Sequence, residues 1–130
     1  MNTTPIELSG CAIIEDDKVL LLHKPKDSHY EFPGGKVREE ETIEEAAIRE
    51  VKEELGVDVK LVEKFSVIEF SYNGKYLRGS LFFAKITSGE PHITEPTVFD
   101  HLIWMPIMEY EKYMLAPNVK EFCIKYITTK

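Results

Sequence analysis

Three glutamates on one predicted helix are the residues of this sequence that point most directly to chemistry. Glu50, Glu53 and Glu54 lie in a segment whose apolar periodicity predicts a helix over 43–55. On a wheel of about 100° per residue they share one arc. Like charges at i, i+3 and i+4 destabilise an isolated helix by about 0.2–0.5 kcal/mol per pair, so stability alone does not explain them. The adjoining apolar arc, predicted to pack on a sheet, consists of Ala47, Ile48, Val51 and Leu55.

A bound divalent cation explains such a cluster, because converging carboxylate oxygens are the ligands that Mg²⁺ and Mn²⁺ prefer. Just upstream, Gly34 and Gly35 allow the backbone to approach a ligand or metal closely. Arg49 can hold a carboxylate by paired hydrogen bonds. Two alternatives to a metal site stay open. The glutamates could form a solvated acidic face, and Arg49 could make only a surface ion pair.

The distribution of charge narrows the class of ligand. The formal net charge of −7 argues against general nucleic-acid binding, which usually needs a basic face. Between Arg38 and Glu54 there are eight acidic and three basic residues, which gives that segment a net charge of −5. An acidic protein can still bind a phosphorylated small molecule when cations bridge the two.

The length of 130 residues suits one domain over 1–130. Residues 1–10 lack the features of a secretory signal, and no apolar run approaches the roughly 20 residues of a membrane span, so the cytoplasm is the expected compartment. Cys11 and Cys123 lie far apart in apolar stretches, which favours two buried thiols over a disulfide. The four histidines show no HxxxH or HxxE spacing, which argues against a His-based zinc site.

The predicted elements interleave strands and helices, which indicates an α/β class with a mixed sheet and hairpins. The helix over 43–55 has a capping-box pattern at Thr42 and Glu45, and a stop at Gly56. The other predictions, in chain order, are strands at 8–14 and 18–23, a polar loop at 24–31, a tight irregular backbone at 32–36, strands at 57–72 and 75–87 around an Asn73-Gly74 turn, a loop at 88–100, a strand at 101–105, a helical turn within 106–115, and a final amphipathic helix containing 119–127.

The region from Gly35 to Val57 resembles a known motif. Gly35 is followed after five residues by Glu41, and after seven more by the run Arg49-Glu50-Val51-Lys52-Glu53-Glu54-Leu55-Gly56-Val57. This resembles the Nudix box, GX5EX7REUXEEXGU with U aliphatic, at every fixed position. The preceding Phe32-Pro33-Gly34-Gly35-Lys36 and the order of strands are also similar to that family.

The resemblance implies an α/β/α sandwich around a mixed sheet and a metal-dependent hydrolase that cleaves a pyrophosphate bond in a nucleoside diphosphate linked to another moiety. It implies metal ligation by Glu50, Glu53, Glu54 and a carbonyl of Gly34 or Gly35, with Arg49 orienting the glutamates. Glu41 would support them. Metal would activate water, and a carboxylate would accept its proton; we favour Glu53 as this base, with Glu54 or a loop glutamate as rivals.

Gly89-Glu90-Pro91 is followed four residues later by Glu95, and then by Trp104 and Asn118. This arrangement resembles the MutT-type nucleoside triphosphate pyrophosphohydrolases. By that resemblance Glu95 is a candidate metal ligand or base, and Phe32 and Asn118 are candidate contacts to the nucleobase. The alternatives are a solvated Glu95, a core Phe32, and an Asn118 that only caps the last helix. Lys24 and Lys36 are candidate phosphate contacts, or simply solvated lysines.

Several alternatives stay open on the sequence. The substrate is expected to be a nucleoside triphosphate, oxidised or not, with dinucleoside polyphosphates, ADP-ribose and other sugar nucleotides as alternatives. A non-catalytic nucleotide-sensing module would be expected to lose box carboxylates. An isoprenoid diphosphate isomerase would need a reactive cysteine. The expected state is a monomer or homodimer, with Mg²⁺ as the metal and Mn²⁺ as its substitute.

Overall fold

The computed structural model describes residues 4–129, so the predictions that concern residues 1–3 and 130 lie outside the described residues. The two α-helices are α1 (Ile43–Leu55) and α2 (Pro117–Thr128). Short 3₁₀ turns cover Pro25–Asp27 and Ile107–Lys112. The strands are β1 (Ile6–Glu15), β2 (Lys18–Lys24), β3 (His29–Glu31), β4 (Gly34–Lys36), β5 (Asp58–Tyr72), β6 (Lys75–Ser88) and β7 (His101–Pro106).

These strands form a mixed sheet in the order β3-β2-β1-β6-β5, with β4 added on β1 and β7 on β2. The pairing of β1 with β6 is parallel, and the other pairings are antiparallel. The hairpin turn between β5 and β6 falls at Asn73 and Gly74, which both have positive φ as that turn requires. The predicted mixed sheet with hairpins is confirmed.

A helix covers each face of the sheet, because side chains alternate across a strand. Cys11, Ile13 and the neighbouring Leu20 and Leu22 belong to the core under α1, which also contains Ala47, Val51 and Leu55. The core on the opposite face contains the intervening residues of the same two strands, Ala12, Val19 and Leu21. These pack with Val119, Phe122 and Cys123 of α2. This is the predicted α/β/α sandwich.

The prediction of a polar loop at 24–31 is wrong. Pro25 opens a 3₁₀ turn, and β3 then pairs with β2, where Glu31 faces Leu22 and His29 faces Lys24. β3 is a strand of three residues at the end of the sheet order, with half-buried side chains, so it lacks the apolar alternation that marks a strand. Part of the segment predicted to be irregular, Gly34–Lys36, is likewise a strand on β1.

Both cysteines are buried and unpaired, as predicted. Burial raises the pKa of Cys11 to about 12 and that of Cys123 to about 11, so neither thiol is a reactive nucleophile at neutral pH. This disfavours the isomerase alternative. None of the helices in residues 4–129 is long and apolar enough to cross a membrane.

Replacing Thr42 by Ala removes the hydroxyl that caps α1, and we expect a loss of about 1 kcal/mol in the free energy of unfolding. The measurement is urea denaturation, with Thr97→Ala as the control because Thr97 is an exposed turn residue. An equal effect of the two substitutions would contradict the importance of the cap.

Candidate active site

The two ends of α1 are set by local interactions. The Thr42 hydroxyl accepts a hydrogen bond from the Glu45 N–H at 3.0 Å, and the Glu45 carboxylate accepts one from the Thr42 N–H at 2.9 Å. At the other end Gly56 has φ of +70°, and its N–H donates to the Lys52 carbonyl. The predicted bounds, capping box and helix stop are therefore confirmed.

The rotation of α1 about its axis differs from the prediction. Ile48, expected to pack on the sheet, is 39% exposed, whereas Ala46 is fully buried. Glu54 is also buried, at 7% exposure, so the buried arc extends into the glutamate face. β4 lies against the glutamate side of α1, where the Gly34 N–H donates to Glu54 and Gly35 faces the Glu50 carboxylate, so this side of the helix is packed and Ile48 lies outside the packed arc. Glu54 thus lies within the packed interface.

Arg49 connects the acidic residues through all parts of its guanidinium. Its Nε and Nη2 donate to both oxygens of Glu41, at 2.5 and 2.9 Å. Its Nη1 donates to Glu50 at 2.9 Å and Glu53 at 3.2 Å, and Nη2 also donates to the Lys36 carbonyl at 3.0 Å. We call these contacts the Arg49 network. The predicted paired hydrogen bonds of Arg49 are present, and Glu41 is their acceptor.

Glu41 is held as a carboxylate by this network. Hydrogen bonding from Arg49, and then from the backbone N–H of Arg38, lowers the pKa of Glu41 to about 2. Glu41 therefore ties the turn before α1 to the helix and supports the neighbouring glutamates through Arg49.

Glu54 is in the opposite electrostatic situation. Burial raises its pKa to about 9, against a hydrogen bond from the Gly34 N–H at 2.9 Å that lowers it. The negative charges of Glu50, Glu31 and Glu95 raise it further. A carboxylate buried among other carboxylates is costly unless a cation joins it.

Glu50 and Glu53 differ in how they are held. A Cβ on Gly35 would lie 2.6 Å from the Glu50 carboxylate, so only glycine leaves Glu50 its present position. Glu53 is 45% exposed and is also paired with Arg38 at 3.6 Å. Within the described residues the ligand oxygens of Glu50, Glu53 and Glu54 do not all lie within 4.8 Å of one another.

The loop between β6 and β7, residues 89–100, packs on the C-terminal end of α1. The His92 N–H donates to the Leu55 carbonyl at 3.1 Å, and the Thr94 N–H to the Glu54 carbonyl at 3.3 Å. These bonds satisfy carbonyls that a helix end leaves free. They also bring Glu95 close enough for its charge to raise the pKa of Glu54, although its side chain is exposed.

A cavity of about 300 Å³ begins at Gly34 and Gly35, beside the glutamates. Three of the predicted substrate contacts, Lys24, Phe32 and Asn118, lie on its wall. Phe32 also packs edge-on against Phe122, with ring centroids 5.3 Å apart, so it is a core residue that also reaches the cavity. Much of the remaining wall is apolar, including Leu8, Ile68, Phe70, Leu77 and Leu81.

The structure bears on two sequence-based interpretations at this cavity. Asn118 does not cap α2: Pro117 starts the helix, so Ala116 occupies the capping position and no side chain bonds there. Lys36 lies outside the cavity wall with an exposed side chain, and its carbonyl serves the Arg49 network. Lys36 is therefore not placed to meet a ligand in the cavity.

Sequence reasoning missed His29 and Glu31, which also line the cavity. Glu31 is close enough to raise the pKa of Glu54. The available signal was their position directly before Phe32-Pro33, in a segment interpreted as a polar loop.

The residues present fit a divalent cation. The donor set of Glu50, Glu53, Glu54 and the nearby backbone carbonyls consists only of oxygen, as hard cations prefer. The buried Glu54 carboxylate makes no ion pair with a cationic side chain of the described residues. A cation there would offset the unfavourable burial of its charge.

The chain matches the NUDIX domain model over residues 7–125. It is 30% identical over 91 residues to the 8-oxo-dGTP diphosphatase of Proteus vulgaris, covering 67% of this chain and 80% of that protein. It is 44% identical over 66 residues to the putative 8-oxo-dGTP diphosphatase YtkD of Bacillus subtilis (strain 168), covering 51% of this chain and 42% of that protein. The crystal structure of a MutT NUDIX hydrolase from Burkholderia pseudomallei superposes with a TM-score of 0.82 at 27% identity, covering 92% of this chain and 96% of that one.

The sandwich fold, the acidic helix and these matches define an enzyme that hydrolyses nucleotide pyrophosphates. The chain belongs to the Nudix family. Members of this family act on small nucleotide substrates and generally need a divalent metal.

Replacing Glu54 by Gln tests the cost of the buried carboxylate. Because the pKa of Glu54 is raised on folding, its contribution to stability is complete below its unfolded pKa of about 4.5 and is lost as pH rises through about 9. Metal-free wild-type protein should lose on the order of a few kcal/mol between pH 5.5 and 8.5, and the variant should lose less. Denaturant midpoints across this range are the measurement, and identical slopes for both proteins would contradict the assignment.

Replacing Gly35 by Ala places a Cβ against the Glu50 carboxylate and should displace it. We expect the affinity for Mn²⁺, measured by electron paramagnetic resonance, to fall by about tenfold or more. Gly79→Ala is the matched control, because its Cβ would make only ordinary contacts, with the Phe70 ring at 3.5 Å and the Ile68 carbonyl at 3.9 Å. Unchanged Mn²⁺ affinity in a folded Gly35→Ala variant would show that Glu50 is not held by this contact.

Proposed function

We propose that the protein hydrolyses nucleoside triphosphates to a monophosphate and pyrophosphate, with oxidised purine nucleotides as the leading substrates and Mg²⁺ as the metal. The observation that carries the proposal is the cavity of about 300 Å³, which joins the glutamates of α1 at Gly34 and Gly35. A largely apolar cavity with a few polar groups suits a nucleobase. A polyphosphate attached to that base would then extend towards the acidic helix.

The roles within the cavity follow from its wall. Phe32 offers an aromatic ring to the base, and the Asn118 amide offers both a hydrogen-bond donor and an acceptor to its polar edge. Lys24, which is paired with Asp27 at 3.4 Å, offers a positive charge to a phosphate at the same wall. These roles are consistent with a substrate of the kind named for two relatives, which are 8-oxo-dGTP diphosphatases by name.

Glu50, Glu53, Glu54 and a carbonyl of Gly34 or Gly35 would hold the metal, with Glu95 as an additional candidate. The bound metal would neutralise phosphate charge and lower the pKa of the attacking water. We assign proton abstraction to Glu53, because it is the most exposed of the three glutamates and is fixed by Arg49 and Arg38. Its rivals are Glu54 and Glu95.

A second candidate substrate is a pyrimidine triphosphate. The chain is 29% identical over 116 residues to the CTP pyrophosphohydrolase of Escherichia coli (strain K12), covering 86% of this chain and 84% of that protein. We further propose a cytoplasmic location, since the free thiols of Cys11 and Cys123 suit a reducing compartment.

The test is product identification with Mg²⁺ and a panel of 8-oxo-dGTP, dGTP, CTP, a dinucleoside polyphosphate and ADP-ribose. We expect monophosphate and pyrophosphate from the triphosphates, with the highest kcat/KM for the oxidised purine. Glu53→Gln should lower kcat by at least about 100-fold, because it removes the proton acceptor. Glu44→Gln, an exposed residue on the same helix, is the control.

Two results would contradict the proposal. Turnover of ADP-ribose or the dinucleoside polyphosphate alone would overturn the substrate class. Unchanged kcat in Glu53→Gln would overturn the assignment of the base.

A further inference from the structure

Asp27, His29 and Glu31 form a group of side chains that the hydrolytic site does not use. His29 and Glu31 share one side of β3, and Asp27 ends the 3₁₀ turn that leads into this strand through the left-handed Ser28. One ligand atom from each lies within 4.8 Å of the others. The His29 Nε2 is 2.9 Å from a Glu31 oxygen and 4.0 Å from an Asp27 oxygen.

The group is half-buried and supported by neighbouring elements. The side chains of His29, Asp27 and Glu31 are 12%, 19% and 25% exposed. Pairing of β3 with β2 fixes the backbone of His29 and Glu31. From β5, the Tyr72 hydroxyl lies near Asp27, and burial together with the charge of Asp27 raises the pKa of Tyr72. Partners of this kind orient metal ligands in known sites.

The charge of the group favours a cation. Asp27 and Glu31 bring two carboxylates together, and Lys24, 3.4 Å from Asp27, is the one lysine or arginine ion-paired with either of them in the described part of the chain. Two carboxylate oxygens and one imidazole nitrogen are also a different donor set from that of α1, which offers oxygen only. Imidazole favours Zn²⁺ and other transition metals over Mg²⁺.

We propose that Asp27, His29 and Glu31 form a second metal site, specific for a transition-metal dication such as Zn²⁺, at the rim of the cavity. Three protein ligands leave at least one coordination position open. Since His29 and Glu31 line the cavity, that position is accessible from it. The site would coexist with Mg²⁺ on α1, and its existence does not depend on the hydrolytic reaction.

A second histidine-containing group provides the natural comparison. His23, Asp100 and His101 also have ligand atoms within 4.8 Å of one another. Asp100 and His101 are about half exposed, and the Nδ1 atoms of both histidines already share one Asp100 oxygen at 2.8 Å. The group is therefore more open to solvent and less enclosed than the one at the cavity rim.

The test is calorimetric titration of Zn²⁺ into the full chain with millimolar Mg²⁺ present to occupy the oxygen-only site. We expect one tight Zn²⁺ equivalent in the wild type. His29→Gln should weaken it by about 100-fold or more, because it removes a metal ligand. Asp27→Asn should also weaken Zn²⁺ binding. Because it is nearly identical in shape to the wild type, it provides a second test if the His29 variant does not fold. His101→Gln should leave Zn²⁺ binding unchanged.

Absence of tight Zn²⁺ binding in the wild type would overturn the site, and so would its full retention in a folded His29→Gln variant or its loss in His101→Gln. Failure of the hydrolase proposal can be distinguished from failure of this site, because Glu54→Gln should retain the Zn²⁺ equivalent while losing activity with Mg²⁺. Loss of the Zn²⁺ equivalent in a folded Glu54→Gln variant would instead assign the ion to α1.

Discussion

The Arg49 network is the interaction on which the candidate active site depends. One guanidinium binds Glu41 through two nitrogens and reaches Glu50, Glu53 and the Lys36 carbonyl with the rest of its donors. Lysine cannot replace it, because an ammonium group lacks the planar fork that engages a carboxylate at two points. The network joins the turn before α1 to the helix and positions two of the three glutamates.

The same network leaves the site short of positive charge. Arg49 carries one charge against the carboxylates of Glu41, Glu50 and Glu53, and it makes no contact with Glu54. Glu54 is instead buried, with its pKa raised to about 9. The fold thus keeps acidic groups together at a cost that a divalent cation would offset. Gly34 connects this acidic region to the cavity, since its N–H binds Glu54 and its backbone lines the wall.

How much the sequence predicted depended on how local each signal was. The bounds of α1 were predicted correctly because Thr42, Glu45 and Gly56 act within a few residues of the chain. The predicted rotation of α1 was wrong at Ile48, because contacts between β4 and the glutamate side of the helix extend the buried arc, and no local pattern contains those contacts. The two-sided core was implied only by the resemblance to the Nudix family, and alternation along β1 and β2 accounts for it in the structure.

The missed parts of the site share a physical cause. β3 is a short, polar strand, so neither its existence nor the group formed by Asp27, His29 and Glu31 follows from apolar alternation. The spacings HxxxH and HxxE belong to helices, whereas His29 and Glu31 alternate along a strand and Asp27 belongs to the 3₁₀ turn before it. The burial of Glu54 was also missed, since charged residues are rarely buried without a partner. The roles of Glu95, Lys24, Phe32 and Asn118 stay predictions.

The central claim is that the glutamates of α1 bind the metal used for hydrolysis. Anomalous diffraction from a Mn²⁺-loaded crystal tests it most directly, because the signal locates the ion independently of activity. The account predicts an anomalous peak in contact with Glu54 and at least one of Glu50 and Glu53, at the end of the cavity formed by Gly34 and Gly35. A fully occupied Mn²⁺ site elsewhere, with no peak at these glutamates, would contradict it.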